Sequence, residues 1–252
     1  MNDASTVKPE AALVAGGSRG IGRAVAFRLA EWGVKTVIVN YLENDAAADE
    51  TRRGLEARGA RCVLAKANLA HPDEIDGLFR TAADAVPRLG VFVHCAALGA
   101  FKPTRTTKPN QWDLTMNVGA RSFLLCAEKC VGFMTSGSII AVSSLGSTRV
   151  LPHYGVIGVS KAALESTVRY LAVELAPMGI RVNAVSAGLV RSESMEKLFA
   201  ADPAFHEVIS RTPAGRVAEP DDVADVVVFL AGPAARWIHG QVILADGGYS
   251  LV

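Results

Sequence analysis

The sequence predicts an α/β fold, a doubly wound parallel sheet of about seven strands flanked by helices. Three observations predict it. Short runs that are apolar throughout recur along the chain, as strands covered on both faces require. A helix-length segment follows almost every run, so successive strands pair in parallel through right-handed crossovers. A glycine-rich turn joins the first run to the first helical pattern.

The first strand is Ala11 to Ala15, and Ile21, Val25 and Leu29 after the glycines are spaced for one helical face. TVIVNY (36–41) is β-branched and apolar, 44–59 is polar and Ala-rich, RCVLAKA (61–67) is strand-like and 72–88 is an amphipathic helix. Three more buried strands, VFVHCA (91–96), GSIIAVS (137–143) and IRVNAVS (180–186), alternate with helices over 110–132 and 154–177. A helix over 221–232 leads into the last strand, QVILAD. No linker, repeat or low-complexity tract interrupts this order, so one Rossmann-like domain is expected to take up residues 1–252. Its ligand site belongs at the carboxyl ends of the strands, where the strand order reverses.

Half of the residues are apolar and a fifth are charged, which suits a large buried core. Lys and Arg number 26 against 25 acidic residues, so no overall field recruits nucleic acid or an anionic membrane. Cys126 and Cys130 share a helical face and Cys62 and Cys95 lie in strand-like runs, a spacing that suits neither a metal site nor a disulfide framework. All four are expected to be reduced, and no metal is expected. The segment MNDASTVKPE lacks the basic start and apolar stretch of a signal peptide, and no run approaches the roughly 20 apolar residues of a membrane span. A cytoplasmic protein is expected.

Gly16, Gly17, Ser18, Arg19, Gly20, Ile21 and Gly22 follow the first strand and open the first helix. Glycines there let the backbone turn sharply and approach a pyrophosphate, which the free N–H groups and positive dipole end of the helix attract. An acidic residue at the end of the second strand would bond a ribose 2′-hydroxyl and repel a 2′-phosphate. That position holds Asn40, followed by Tyr41, and Arg19 is available to pair with a phosphate. The expected cofactor is therefore NADPH, and Asn40→Asp is expected to turn the preference toward NADH.

The 16–22 loop, Asn117 in MNVGA, the pair Ser143-Ser144, the run Ser160-Lys161-Ala162-Ala163, RVNAVSAG (181–188) and GQVILADGG (240–248) together resemble the short-chain dehydrogenase/reductase family over essentially the whole chain. The resemblance implies a catalytic set of Asn117, Ser144, a tyrosine and Lys161. It implies further cofactor contacts at Asn68, Leu69, Ala96, Lys161, Gly188 and Val190. HCAA (94–97) stands where the family usually has Asn-Asn-Ala-Gly, and Ala187-Gly188 replaces Pro-Gly.

Most members carry the tyrosine four residues before the lysine, but that position is Ile157, and Tyr154 stands seven before Lys161. This longer spacing is similar to that of the enoyl-acyl-carrier-protein reductase branches, among them the NADPH-dependent third bacterial type, which 143–177, 66–75 and 211–216 also resemble. Four residues make about one helical turn and seven about two, so either tyrosine shares the lysine's face, displaced by about 4.5 Å along the axis. An enoyl thioester takes hydride at its β-carbon while charge develops on the C1 oxygen, so its stabilising hydroxyl must sit farther from the hydride than a ketone needs.

The expected activity is thus reduction of a trans-2-enoyl thioester, with Tyr154 stabilising the enolate and Lys161 holding the nicotinamide ribose. A reductase of a ketone, imine or other activated double bond, and a cofactor-binding protein without turnover, remain open. Ser144 also suits a strand-end backbone cap, and His94 and His153 suit structural roles. Lys102, Arg105 and Lys108, with no acidic residue between Phe101 and Pro109, offer a landing for an acidic carrier protein or a coenzyme A phosphate. Residues 189–212 are expected to form a mobile substrate lid. The resemblance and the apolar helices at 110–132 and 154–177 imply a homotetramer.

Overall fold

The computed structural model describes residues 8–192 and 204–252. Seven parallel strands form one sheet: β1 (Ala11–Ala15), β2 (Thr36–Tyr41), β3 (Arg61–Lys66), β4 (Val91–His94), β5 (Gly137–Ser144), β6 (Ile180–Ala187) and β7 (Val242–Ala245). Their order, β3-β2-β1-β4-β5-β6-β7, reverses between β1 and β4. Crossover helices leave opposite faces there, which opens a crevice at the carboxyl edge.

Strand residues alternate between two cores, although each strand reads as one apolar run. Leu13, Ile38, Phe92, Ile139 and Val182 face one side. Three helices cover them: α3 (Pro72–Ala85), α5 (Ser122–Val131) and α6 (Gly155–Leu175). Val14, Val39, Val93, Ile140 and Val185 face the other side, under α1 (Gly20–Trp32), α2 (Asp45–Glu56) and the helix Pro220–Ala231. A leucine-sized side chain buried in either layer contributes about 1.5–3 kcal/mol.

The helix expected over 110–132 is not continuous. It runs as α4 (Pro109–Met116), a five-residue π-turn at Asn117–Arg121 and then α5, with the Ser122 N–H donating to the Asn117 carbonyl. A Cβ on Gly119 would lie 2.0 Å from Ser160 Oγ, so the turn is wound against α6 through a residue with no side chain. An inserted residue of this kind leaves the apolar periodicity nearly intact, and π-turns of one winding cluster at functional sites.

Of the expected lid, 193–203 lies outside the described residues. Val190 forms a parallel bridge with Ala218, and a helix, α7 (Ala204–Arg211), precedes the last crossover. Among the described residues no helix is long and apolar enough to cross a membrane, and no group of three or more His, Cys, Asp or Glu could hold a metal. The four cysteines are unpaired, and burial pushes the thiols of Cys62, Cys95 and Cys126 up to about 12.

Candidate active site

The loop after β1 is tight on its inner side. A Cβ on Gly22 would come 2.1 Å from the Gly16 carbonyl oxygen, and one on Gly16 would come 2.9 Å from the backbone of Ala96. Its outer side is open. Gly20 has φ +53°, where side chains are disfavoured, and nothing lies within 4 Å of the space its Cβ would take. Open space beside the first N–H groups of α1 is the cradle a pyrophosphate needs, so these residues fit a nicotinamide dinucleotide. Ser18 is buried, its carbonyl accepting from Arg23 Nε at 3.0 Å and Thr51 Oγ1 at 2.9 Å, while Ile21 packs on the core beneath. The exposed Arg19 side chain is free to reach toward a ligand on this edge.

Asn40 does not face that edge, contrary to expectation. Its side chain is buried, accepts from the Gly16 N–H at 3.2 Å and donates from Nδ2 to the carbonyls of Ala65 (3.2 Å) and Ala67 (3.0 Å). Only an amide both accepts and donates in this way, so Asn40 fastens the glycine loop to β3. The side chain that emerges is Tyr41, whose hydroxyl donates to Asp45 at 2.9 Å while Lys66 pairs with the same carboxylate at 3.1 Å. Asn68 caps its own turn, with Oδ1 accepting from the Ala70 N–H, and Leu69 is a core residue. Gly188 presses on Asp246, where its Cβ would lie 2.8 Å from that Cα, and Val190 is buried behind it.

Ser144, Tyr154 and Lys161 lie where α6 crosses the end of β5. Tyr154 lies one residue before the helix proper, at φ −105° and ψ 5°, rather than within it. Its ring fills the space above Gly146, where a Cβ would meet it at 2.4 Å, and lies 5.7 Å from the Phe101 ring. Burial raises the Tyr154 phenol above its ordinary pKa, and a hydrogen bond with the Ser144 hydroxyl opposes the rise. Seven residues on, the buried Lys161 donates from Nζ to the Val142 carbonyl at 2.7 Å. Burial lowers its pKa to about 8 against the opposing influence of Cys95 and Glu165. Asn117 begins the π-turn that packs on the same helix.

Ile157 is buried against the loop after β4, where a Cβ on Gly99 would lie 2.3 Å from its Cγ1. His94 is enclosed, with Nε2 2.7 Å from Ser122 Oγ, and burial lowers its pKa to about 3. His153 is exposed and adopts φ 60°, with its carbonyl accepting from the Lys102 N–H. The basic loop is divided, since Lys102 Nζ donates to Gln111 at 2.7 Å while Arg105 and Lys108 are exposed. A residue the sequence reading passed over is Glu165, buried one turn beyond Lys161 and accepting from Ser143 Oγ at 2.5 Å and Ser147 Oγ at 2.6 Å. Its signal was an acidic residue on an otherwise apolar helical face.

Known proteins resemble the chain over nearly its whole length. The sequence profile described as Enoyl-(Acyl carrier protein) reductase matches residues 15–250. A 1-cyclohexenylcarbonyl-CoA reductase of Streptomyces collinus is 40% identical over 246 residues, covering 96% of this chain and 88% of that protein. A 3-oxoacyl-[acyl-carrier-protein] reductase of a Synechocystis species is 33% identical, covering 95% and 96%. Among solved structures, the angucycline C-6 ketoreductase LanV with bound NADP superposes with a TM-score of 0.89 at 33% identity, covering 96% of each chain.

Proposed function

Since the chain belongs to the short-chain dehydrogenase/reductase family, we propose that it uses NADPH to reduce the C2–C3 double bond of a trans-2-enoyl thioester, carried on coenzyme A or an acyl-carrier protein. One observation carries the reading. The only phenol at the Lys161 end of α6 is Tyr154, seven residues before the lysine, while the position four before it is the buried Ile157. A hydroxyl set back by a helical turn suits an oxygen that is three bonds from the carbon receiving hydride, where the oxygen of a ketone is only one bond away.

Bound NADPH would supply the hydride. The loop Gly16–Gly22 and the start of α1 would hold its pyrophosphate, with Arg19 as a partner for a 2′-phosphate. Tyr154 would donate a hydrogen bond to the C1 oxygen as charge develops there, and Ser144 would orient the phenol. Lys161, with one N–H committed to Val142, has two left for the nicotinamide ribose, and its cation would lower the phenol's pKa and so make it a stronger donor. Arg105 and Lys108 at the mouth suit the phosphates of either carrier. The name of the Streptomyces relative specifies an acyl-CoA whose double bond is conjugated to the thioester, which supports this reading.

A second reading is reduction of a ketone, favoured by the names of the Synechocystis and LanV relatives. Oxidation of NADPH with crotonyl-CoA, 1-cyclohexenylcarbonyl-CoA and acetoacetyl-CoA tests the choice. Turnover confined to the third substrate overturns the enoyl reading. The exposed apolar residues Leu124 on α5 and Val159, Tyr170 and Val173 on α6 support a homotetramer, which light scattering would report.

A further inference from the structure

Tyr154, just before α6, and the α6 residues 158, 161 and 165 form a ladder along the side that faces the end of β5. Tyr154 covers Gly146, whose N–H donates to Ser144 Oγ at 3.3 Å. Gly158 lets the helix approach, since its Cβ would lie 2.4 Å from the Gly146 carbonyl oxygen. Lys161 holds the Val142 carbonyl. Glu165 is the fourth rung, and it receives two hydroxyls on one oxygen, Oε1, from Ser143 and Ser147. Those serines bracket the turn that carries Ser144.

A carboxylate in this environment is costly unless its oxygens are bonded, and short O–H···O⁻ contacts are the strong class of hydrogen bond. Glu165 makes no ion pair with Lys161, although the two are four residues apart on one helix. Its bonding is spent on the turn instead. The 3.3 Å bond from the Gly146 N–H is what holds the Ser144 side chain, so its place depends on its neighbours in the turn.

We propose that Glu165 is a positioning residue that clamps Ser143 and Ser147 and thereby fixes the turn that holds the Ser144 hydroxyl and Gly146 beside Tyr154. The inference rests on the reading that Tyr154 stabilises the reacting oxygen, and the test separates the two. Ser147→Ala removes one clamp bond and keeps the charge, while Glu165→Gln keeps the acceptor and removes the charge. Each is expected to slow the single-turnover rate by about 10- to 100-fold, the scale of an ångström-sized misplacement. In a Ser144→Ala background neither is expected to slow it further, because the clamp then has nothing to position. Without substrate, a tyrosinate absorbance titration, taken as the difference from Tyr154→Phe, is expected to move to higher pH in Ser147→Ala as the Ser144 hydroxyl drifts from the phenol. Full multiplication of the rate losses in the Ser144→Ala background, or an unmoved titration, overturns the clamp. A Tyr154→Phe enzyme of near-normal rate overturns the underlying reading and leaves the titration to judge the clamp alone.

Discussion

Replacing Tyr154 with Phe tests the displaced phenol directly, and the structure separates its two consequences. The ring keeps its contacts with Gly146 and Phe101, so the structural loss is confined to what the hydroxyl bonds. A single hydrogen bond is worth about 1 kcal/mol, so in a chain of this length the melting temperature should fall by no more than about 2–4 °C. Losing a donor to developing negative charge costs far more, about 2.7–4 kcal/mol, or 10²–10³ in rate. The assay follows loss of reduced-nicotinamide absorbance with an enoyl-CoA at saturating cofactor, beside a fluorescence titration of NADPH binding. The expected outcome is a large fall in kcat with cofactor affinity nearly unchanged, since Lys161 and the glycine loop are untouched. A variant within about threefold of the parent rate would show that the phenol stabilises nothing in the transition state, and the choice of an enoyl substrate would lose its basis.

Four further outcomes are expected. Because burial lowers the Lys161 pKa to about 8 and the cation is the useful form, kcat/KM should be sustained below that pH and fall as pH rises through it. Arg19→Glu should cut catalytic efficiency with NADPH by about tenfold or more while sparing NADH, as steady-state kinetics with both cofactors would reveal. Asn40→Asp should destabilise the protein rather than switch its cofactor, because a carboxylate there faces two carbonyl oxygens and has lost both donors; a denaturant midpoint checks it. Ile157→Tyr should cost about 1–3 kcal/mol from overpacking against Gly99 and add no ketone reduction, measured by thermal unfolding and by turnover of acetoacetyl-CoA.

The strands were legible because a parallel sheet buried on both faces leaves apolar runs, and those runs end within a few residues of the expected limits. What periodicity could not convey was direction. Asn40 stands where a ribose contact was expected, but strand alternation turns its amide into the fold and leaves Tyr41 to emerge. The π-turn at Asn117 was hidden for a related reason, since one added residue hardly disturbs a helical apolar pattern.

The spacing of Tyr154 and Lys161 was readable as arithmetic, yet the reason it can be used is tertiary. Tyr154 precedes the helix instead of lying in its first turn, so its side-chain direction comes from its own backbone angles and from what surrounds it. Behind it stands His153 in a left-handed conformation, held by the Lys102 N–H; ahead of it lie Gly146 and Ser144. A strained residue persists only where its surroundings over-determine it, and here both flanking loops grip the chain at the phenol. The displaced tyrosine is therefore a property of three segments acting together: the loop after β4, the turn after β5 and the stripe of α6. A change of substrate class within this fold then needs more than moving a hydroxyl along a helix, because Ile157, one turn away, is already enclosed by Gly99 and faces no comparable opening.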